Sequence, residues 1–180
     1  MAGVAATALF LSVVLPILFL ALIAIFSFYA AFAGYRILSF KQLSHGDKPH
    51  YIDWLAALLT FGSSTALALI GAFWPRLVGG MGLISIVFGI IGMALASVSI
   101  RTFLCPPQEK QFWWYFHMRD MIASYIAACT AFTVVNLAPR FGNVWWIWLG
   151  PAMIGVPMSV LWQRYYRARF AAKPHQLVQI

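Results

Sequence analysis

The sequence predicts an all-α fold, an integral membrane bundle of five transmembrane helices with its N-terminus outside and its C-terminus cytoplasmic. Three observations predict it. The chain is 63% hydrophobic and 9% charged, with a mean hydropathy of +0.85, whereas soluble domains carry about 25% charged residues. Its apolar residues fall into long segments separated by short polar loops. The basic residues gather in alternate loops, as the positive-inside rule requires. That rule accounts for the net charge of +8 better than nucleic-acid binding does, and no nucleic-acid partner is expected. The partner implied throughout is the lipid bilayer.

The 180 residues read as a single transmembrane domain, with spans at about 9–38, 51–73, 77–98, 113–137 and 144–162. The first follows from the uncharged run Ala2 to Tyr35. A cleaved signal would need a basic flank before it and an apolar stretch of only about 7–15 residues. Here the charges follow the run, at Arg36, Lys41 and Lys48, so an uncleaved span is expected, bent or bounded by Pro16. The loop Ser39 to Tyr51 holds His45 and His50, and the second span opens on Asp53 and Trp54. Its middle carries Gly62-Ser63-Ser64-Thr65, whose hydroxyls are expected to bond to their own helix. Trp74-Pro75-Arg76 makes a tight turn. In the third span Ser85, Gly89, Gly92 and Ala96 form a small-residue stripe, which lets helix backbones approach closely in lipid. The Pro106-Pro107 pair ends that helix.

The fourth span, Trp113 to Leu137, carries the most polar side chains. His117, Arg119 and Asp120 lie in its first turns, with Ser124, Tyr125, Thr130, Thr133 and Asn136 beyond. On a wheel of 100° per residue, His117, Asp120, Ser124, Ala127, Ala128 and Ala131 share one side. Tyr125, Cys129, Thr133 and Asn136 form an intramembrane polar ladder on another. Polar groups in hydrocarbon need partners, so this span is expected at the centre, with the other helices around it. A short loop at 138–143 leads to the fifth span. Trp145, Trp146 and Trp148 suggest an interfacial belt, and Pro151 and Pro157 suggest kinks. The basic tail from Gln163 is expected on the cytoplasmic leaflet, with Tyr165, Tyr166 and the arginines around them against anionic lipid.

Counting cations tests the topology. The inner side receives Arg36, Lys41, Lys48, Arg101, Lys110, Arg119, Arg164, Arg167, Arg169 and Lys173, and the outer side only Arg76 and Arg140. Cys105 and Cys129 are too far apart for a C-x-x-C site, and no disulfide is expected.

His117 is the sharpest candidate. A histidine near a span end can ligate a b-type haem, hold a quinone oxygen or relay protons. It can equally pair with a carboxylate or lipid headgroups. Only His45 and His50 could supply a second haem ligand near the cytoplasmic face. Asp53 and Asp120 read as helix-start carboxylates that favour the dipole. Alternatively, Asp53, His117, Arg119 and Asp120 form a polar cluster at the cytoplasmic face able to bind a headgroup, a quinone or a proton. His45 and His50 with Asp47 lack a further ligand for a metal site. No hydrolase, metalloprotease or nucleotide motif is present, and the reading leans away from an enzyme.

The residues His117-x3-Met121-x2-Ser124-Tyr125-Ile126-Ala127-x2-Thr130-Ala131-Phe132-x-Val134-Val135-Asn136 resemble the signature of an uncharacterised family of small multi-spanning bacterial inner-membrane proteins. Gly34-Tyr35-Arg36 with a following His45, Asp53-Trp54, and Trp148-x2-Pro151-x3-Gly155-x-Pro157 before the basic end Trp162 to Tyr166 are similar as well. The resemblance implies a helical bundle in a bacterial inner (plasma) membrane, with His117, Tyr125 and Asn136 at matching polar positions. Two functional expectations follow. One is a non-enzymatic membrane protein, self-associating as a homo-oligomer or an accessory subunit of a larger membrane complex, on the strength of the small-residue stripes. The alternative is a redox subunit holding b-type haem or quinone through His117. A carrier using the Tyr125–Asn136 ladder is a weaker third, since no ionisable residue sits mid-membrane.

Overall fold

The structure is a computed structural model that describes residues 18–40, 48–109, 111–142 and 144–171. Among these residues it contains helices and no strand. They are α1 (Leu18–Arg36), α2 (Tyr51–Phe73), α3 (Gly82–Leu104), α4 (Phe112–Phe141) and α5 (Trp145–Ala171), with short 3-10 turns at Ile37–Ser39 and Pro75–Val78. All five helices are long and apolar enough to cross a membrane, and the molecule is a multi-pass membrane protein. In lipid only a helix satisfies all its own backbone groups, which is why each apolar stretch takes this form. Pro16 and the start of the first expected span lie outside the described residues, as do His45, Asp47, Lys41, Lys110 and Lys173.

Helix ends differ from the expected spans for local reasons. Residues 77–81 belong to the connection rather than to α3. Pro75 opens a 3-10 turn there, and Gly79 and Gly80 take left-handed φ values of 64° and 78°. At its other end α3 continues to Leu104. The fourth helix runs past Leu137 through Pro139 and stops at Gly142, whose φ is 75° and whose N–H bonds the Ala138 carbonyl. The fifth stays helical through Pro151 and Pro157 and on to Ala171. Residues 163–171 therefore form a helical extension. It docks on the start of α4: Trp114 meets Tyr166 and Phe170 at ring distances of 5.1 and 5.5 Å, and Arg167 lies 3.7 Å from Glu109 and over the Tyr115 ring.

Two helices, α2 and α3, make the most extensive pair. Their seam consists of small residues along its whole length. A Cβ added at Gly71 would lie 2.7 Å from the Gly82 carbonyl oxygen, and one at Gly89 would lie 2.6 Å from that of Ser64. Ala57 and Ala96, both fully buried, continue the seam. The stripe seen in α3 is thus used inside the chain. Ser63 and Thr65 donate to the carbonyls of Thr60 and Phe61 in their own helix, as expected; Ser64 does not follow, because its buried hydroxyl, turned toward Gly92, has no hydrogen-bond partner among the described residues.

It is α1, not α4, that joins the helix pairs. It touches α2, α3 and α4, and its Phe19 and Phe26 enter the main core with Leu67, Val78, Ile84, Phe88, Ile147 and Trp148. Trp148 is a core residue, packed edge-on to Phe19 at 5.3 Å and near Phe88 at 6.5 Å, while Trp145 and Trp146 remain exposed. The least enclosed membrane window is that of α4, 11% buried against 39% for α3. Polarity did not force it to the middle, because its outer polar groups turn back on their own helix. Thr133 Oγ1 donates to the Cys129 carbonyl and Asn136 Nδ2 to that of Phe132, both at 2.7 Å.

The seam gives a direct test. In Gly89→Val the new side chain must displace the Ser64 backbone or Ala68. A loss of about 1–3 kcal/mol is expected, read as a lower unfolding temperature in detergent micelles. Gly150→Val, where a Cβ meets nothing, should show no steric effect of this kind.

Candidate functional site

Five short ties converge at the end of the bundle where α1 and α3 finish and α2 and α4 begin. Arg36, the last residue of α1, grips Asp53 with two nitrogens: Nε to Oδ1 at 2.7 Å and Nη2 to Oδ2 at 2.8 Å. Such a fork-to-carboxylate pair is the strongest geometry open to arginine. Asp53 occupies the first turn of α2 and also accepts the His50 backbone N–H at 2.8 Å. Its helix-start role and its ion pair therefore coexist. Arg36 extends Nη2 toward His50 Nδ1 at 3.3 Å and lies over the Phe40 ring.

The second pair is local to α4. Arg119 places Nε and Nη2 each 2.7 Å from Asp120 Oδ1, with its guanidinium over the Phe116 ring. Asp120 does not sit in the first turn of α4, which contains no acidic residue. The helix dipole therefore does not explain it; it is 3% exposed and held by its neighbour. His117 Nδ1–H donates to the Gly34 carbonyl at 2.6 Å. Gly34 lies in the last turn of α1, where helical carbonyls run short of backbone donors. It also allows α1 and α4 to touch, because a Cβ there would lie 2.5 Å from Met121 Cε and 3.1 Å from Asp120 Cβ.

The four expected site residues thus share one end of the bundle but do not form one constellation. Asp53 and Asp120 line the same cavity, with Tyr29, Arg36, Ser99 and Thr102 also in its wall. His117 is engaged with α1, and Arg119 lies along α4. The site residue that sequence reasoning missed is Arg36, which the sequence marks as a topology signal and as part of the Gly34-Tyr35-Arg36 resemblance but not as a partner of Asp53. Nothing in the chain pairs it with Asp53, 17 positions away, until α1 and α2 are brought side by side.

The cavity measures about 20 Å³, enough for about one water. A haem or quinone ring needs a pocket of several hundred Å³, roughly 300 or more, and His117 is absent from this wall. His50, the described candidate for a second haem ligand, faces the Arg36 guanidinium. That cavity is too small for either ring, and no group of three or more metal-ligating side chains forms among the described residues. The polar ladder is not a path through the bundle. Tyr125 is 71% exposed and Asn136 also faces outward.

Compared with known proteins, the chain matches no family model, no curated protein and no solved structure.

Two outcomes are expected at this site. Arg36→Gln leaves a carboxylate that is only 2% exposed without its partner and should cost about 3–5 kcal/mol. Asp53→Asn should cost less, because the freed arginine is already partly in contact with water and the new amide still accepts the His50 N–H. Unfolding of both variants in micelles gives the order. For His117, asparagine places an N–H donor near the position of Nδ1, whereas alanine does not. His117→Ala should lose about 0.5–1.5 kcal/mol and His117→Asn should recover most of it; a histidine serving as a metal ligand would show no such rescue.

Proposed function

We propose that this protein is a non-enzymatic, self-associating membrane component, and that a second copy of the chain docks on the outer face of α4. One observation carries the reading. Tyr125 lies near the midpoint of α4, pointing away from the bundle, with no hydrogen-bond partner for its hydroxyl among the described residues. Asn136 lies on the same helical face, as do Cys129 and Phe132. Asn136 uses one N–H on its own helix and keeps a carbonyl oxygen and a second N–H in reserve. Unspent donors and acceptors at membrane depth favour a protein partner over acyl chains. A two-fold pairing suits them, because tyrosine and asparagine each donate and accept, so the same face can satisfy itself. The small-residue stripe of α3 does not contribute, being covered by α2.

The excess of cations at the end holding Arg36, Lys48, Arg101, Arg164, Arg167 and Arg169 supports a cytoplasmic placement of that end. The resemblance of the α4 signature supports a bacterial inner membrane.

The test is the mass of the gently extracted protein. A dimer should be found, and Tyr125→Leu with Asn136→Leu should convert it to monomer without lowering the unfolding temperature. A wild-type monomer in lipid nanodiscs, or a complex held by a different polypeptide, would overturn self-association.

A further inference from the structure

We infer that the cation-tipped face of α5 is a binding site for an anionic phospholipid. Met158, Leu161, Trp162, Tyr165 and Tyr166 form an open, shallow apolar groove along one face of α5. The spacing 158, 162, 165, 166, 169 keeps one helical face, so Arg169 stands one turn beyond the tyrosines on the same side. Arg164 flanks the groove next to Leu161. Both arginines are exposed, and neither has an ionic or hydrogen-bond partner among the described residues. Arg167 points elsewhere, to Glu109 and Tyr115.

Depth and chemistry agree with this occupant. A hydrocarbon layer of about 30 Å takes roughly 20 residues of helix. Counted from Trp145, the apolar layer ends near Arg164. Met158 and Leu161 then lie against acyl chain, Trp162 and the tyrosines lie at the interface where such rings settle, and Arg169 reaches the phosphate level. From Met158 to Arg169 the helix rises about 16 Å, which spans the upper part of one lipid chain and its headgroup. The Arg169 guanidinium above this apolar face, with that of Arg164 at its flank, complements a negative headgroup. A neutral apolar partner would leave both unmatched. Stacked Trp162 and Tyr166, 6.2 Å apart and 12° from parallel, give the groove a firm wall, because Tyr166 is itself fixed against Trp114.

The experiment uses the full chain purified in mild detergent, offered equal amounts of phosphatidylglycerol and phosphatidylcholine, with bound lipid read by native mass spectrometry. Phosphatidylglycerol should be retained several-fold over phosphatidylcholine. Arg164→Gln with Arg169→Gln should abolish that preference, while Arg76→Gln, at the opposite end, should leave it intact. Both arginines are surface residues, so lipid-free unfolding temperatures should be unchanged. Equal retention of the two lipids, an unaltered preference in the double variant, or equal loss in Arg76→Gln would overturn the site. The oligomeric state is read separately, and its outcome does not bear on this result.

Discussion

Lipid tails give one apolar helix no reason to leave them for another, so a bundle in a membrane depends on contacts that lipid cannot supply. This chain uses two. Where α2 meets α3, glycine, alanine and serine remove the side chains that would hold the backbones apart. Where α1 meets α2 and α4, buried polar groups find partners they could find nowhere else in hydrocarbon. Asp53 is fixed by Arg36 across two helices, and the Gly34 carbonyl by His117 across another two. The first device acts along a whole interface and the second at one end, where it ties α1 to α2 and to α4.

Much of the architecture was legible beforehand. Long uncharged runs gave the helices, and the charged or proline-containing breaks gave their order. The α3 stripe of Ser85, Gly89, Gly92 and Ala96 was recognisable as a close-approach surface because its residues repeat on one face. What the pattern did not contain was the partner. A stripe says that something comes near, and α2, the neighbour in sequence, occupies it before another molecule can. Helix ends were less legible, since Pro139 and the basic tail were read as breaks and each can be accommodated in a helix when a carbonyl is left free or a neighbour docks alongside.

The bridging place of α1 was hidden for a different reason. Before its Tyr35-Arg36 end its sequence is apolar but for Ser27 and Tyr29, and such a helix carries little mark of what surrounds it. The polar residues of α4 were conspicuous, and the inference that polarity requires enclosure failed on a specific point. Threonine and asparagine can bond to the carbonyl four residues back, as Thr133 and Asn136 do here, and a helix so equipped can stand at the edge. Tyr125 has no such recourse, because its hydroxyl lies too far from its own backbone. Its hydroxyl, with the carbonyl oxygen and second N–H of Asn136, is what still needs a partner from outside the helix.

Charge bookkeeping separates the two ends of the polar chemistry. At the buried site each aspartate has an arginine, Arg36 with Asp53 and Arg119 with Asp120, so the pairs are neutral as pairs. A neutral, hydrogen-bonded cluster with space for about one water tends to hold helices in register; it has little left with which to attract a charged ligand. Among the described residues, the cations without a carboxylate partner are exposed: Lys48, Arg76, Arg101 and Arg140, and Arg164 and Arg169 along the extension of α5. Buried charge in this molecule therefore serves cohesion, and exposed charge is what the membrane surface encounters. On α5 core packing and exposed charge sit on one helix: Ile147 and Trp148 enter the core at one end, and the unpaired Arg164 and Arg169 stand outside at the other.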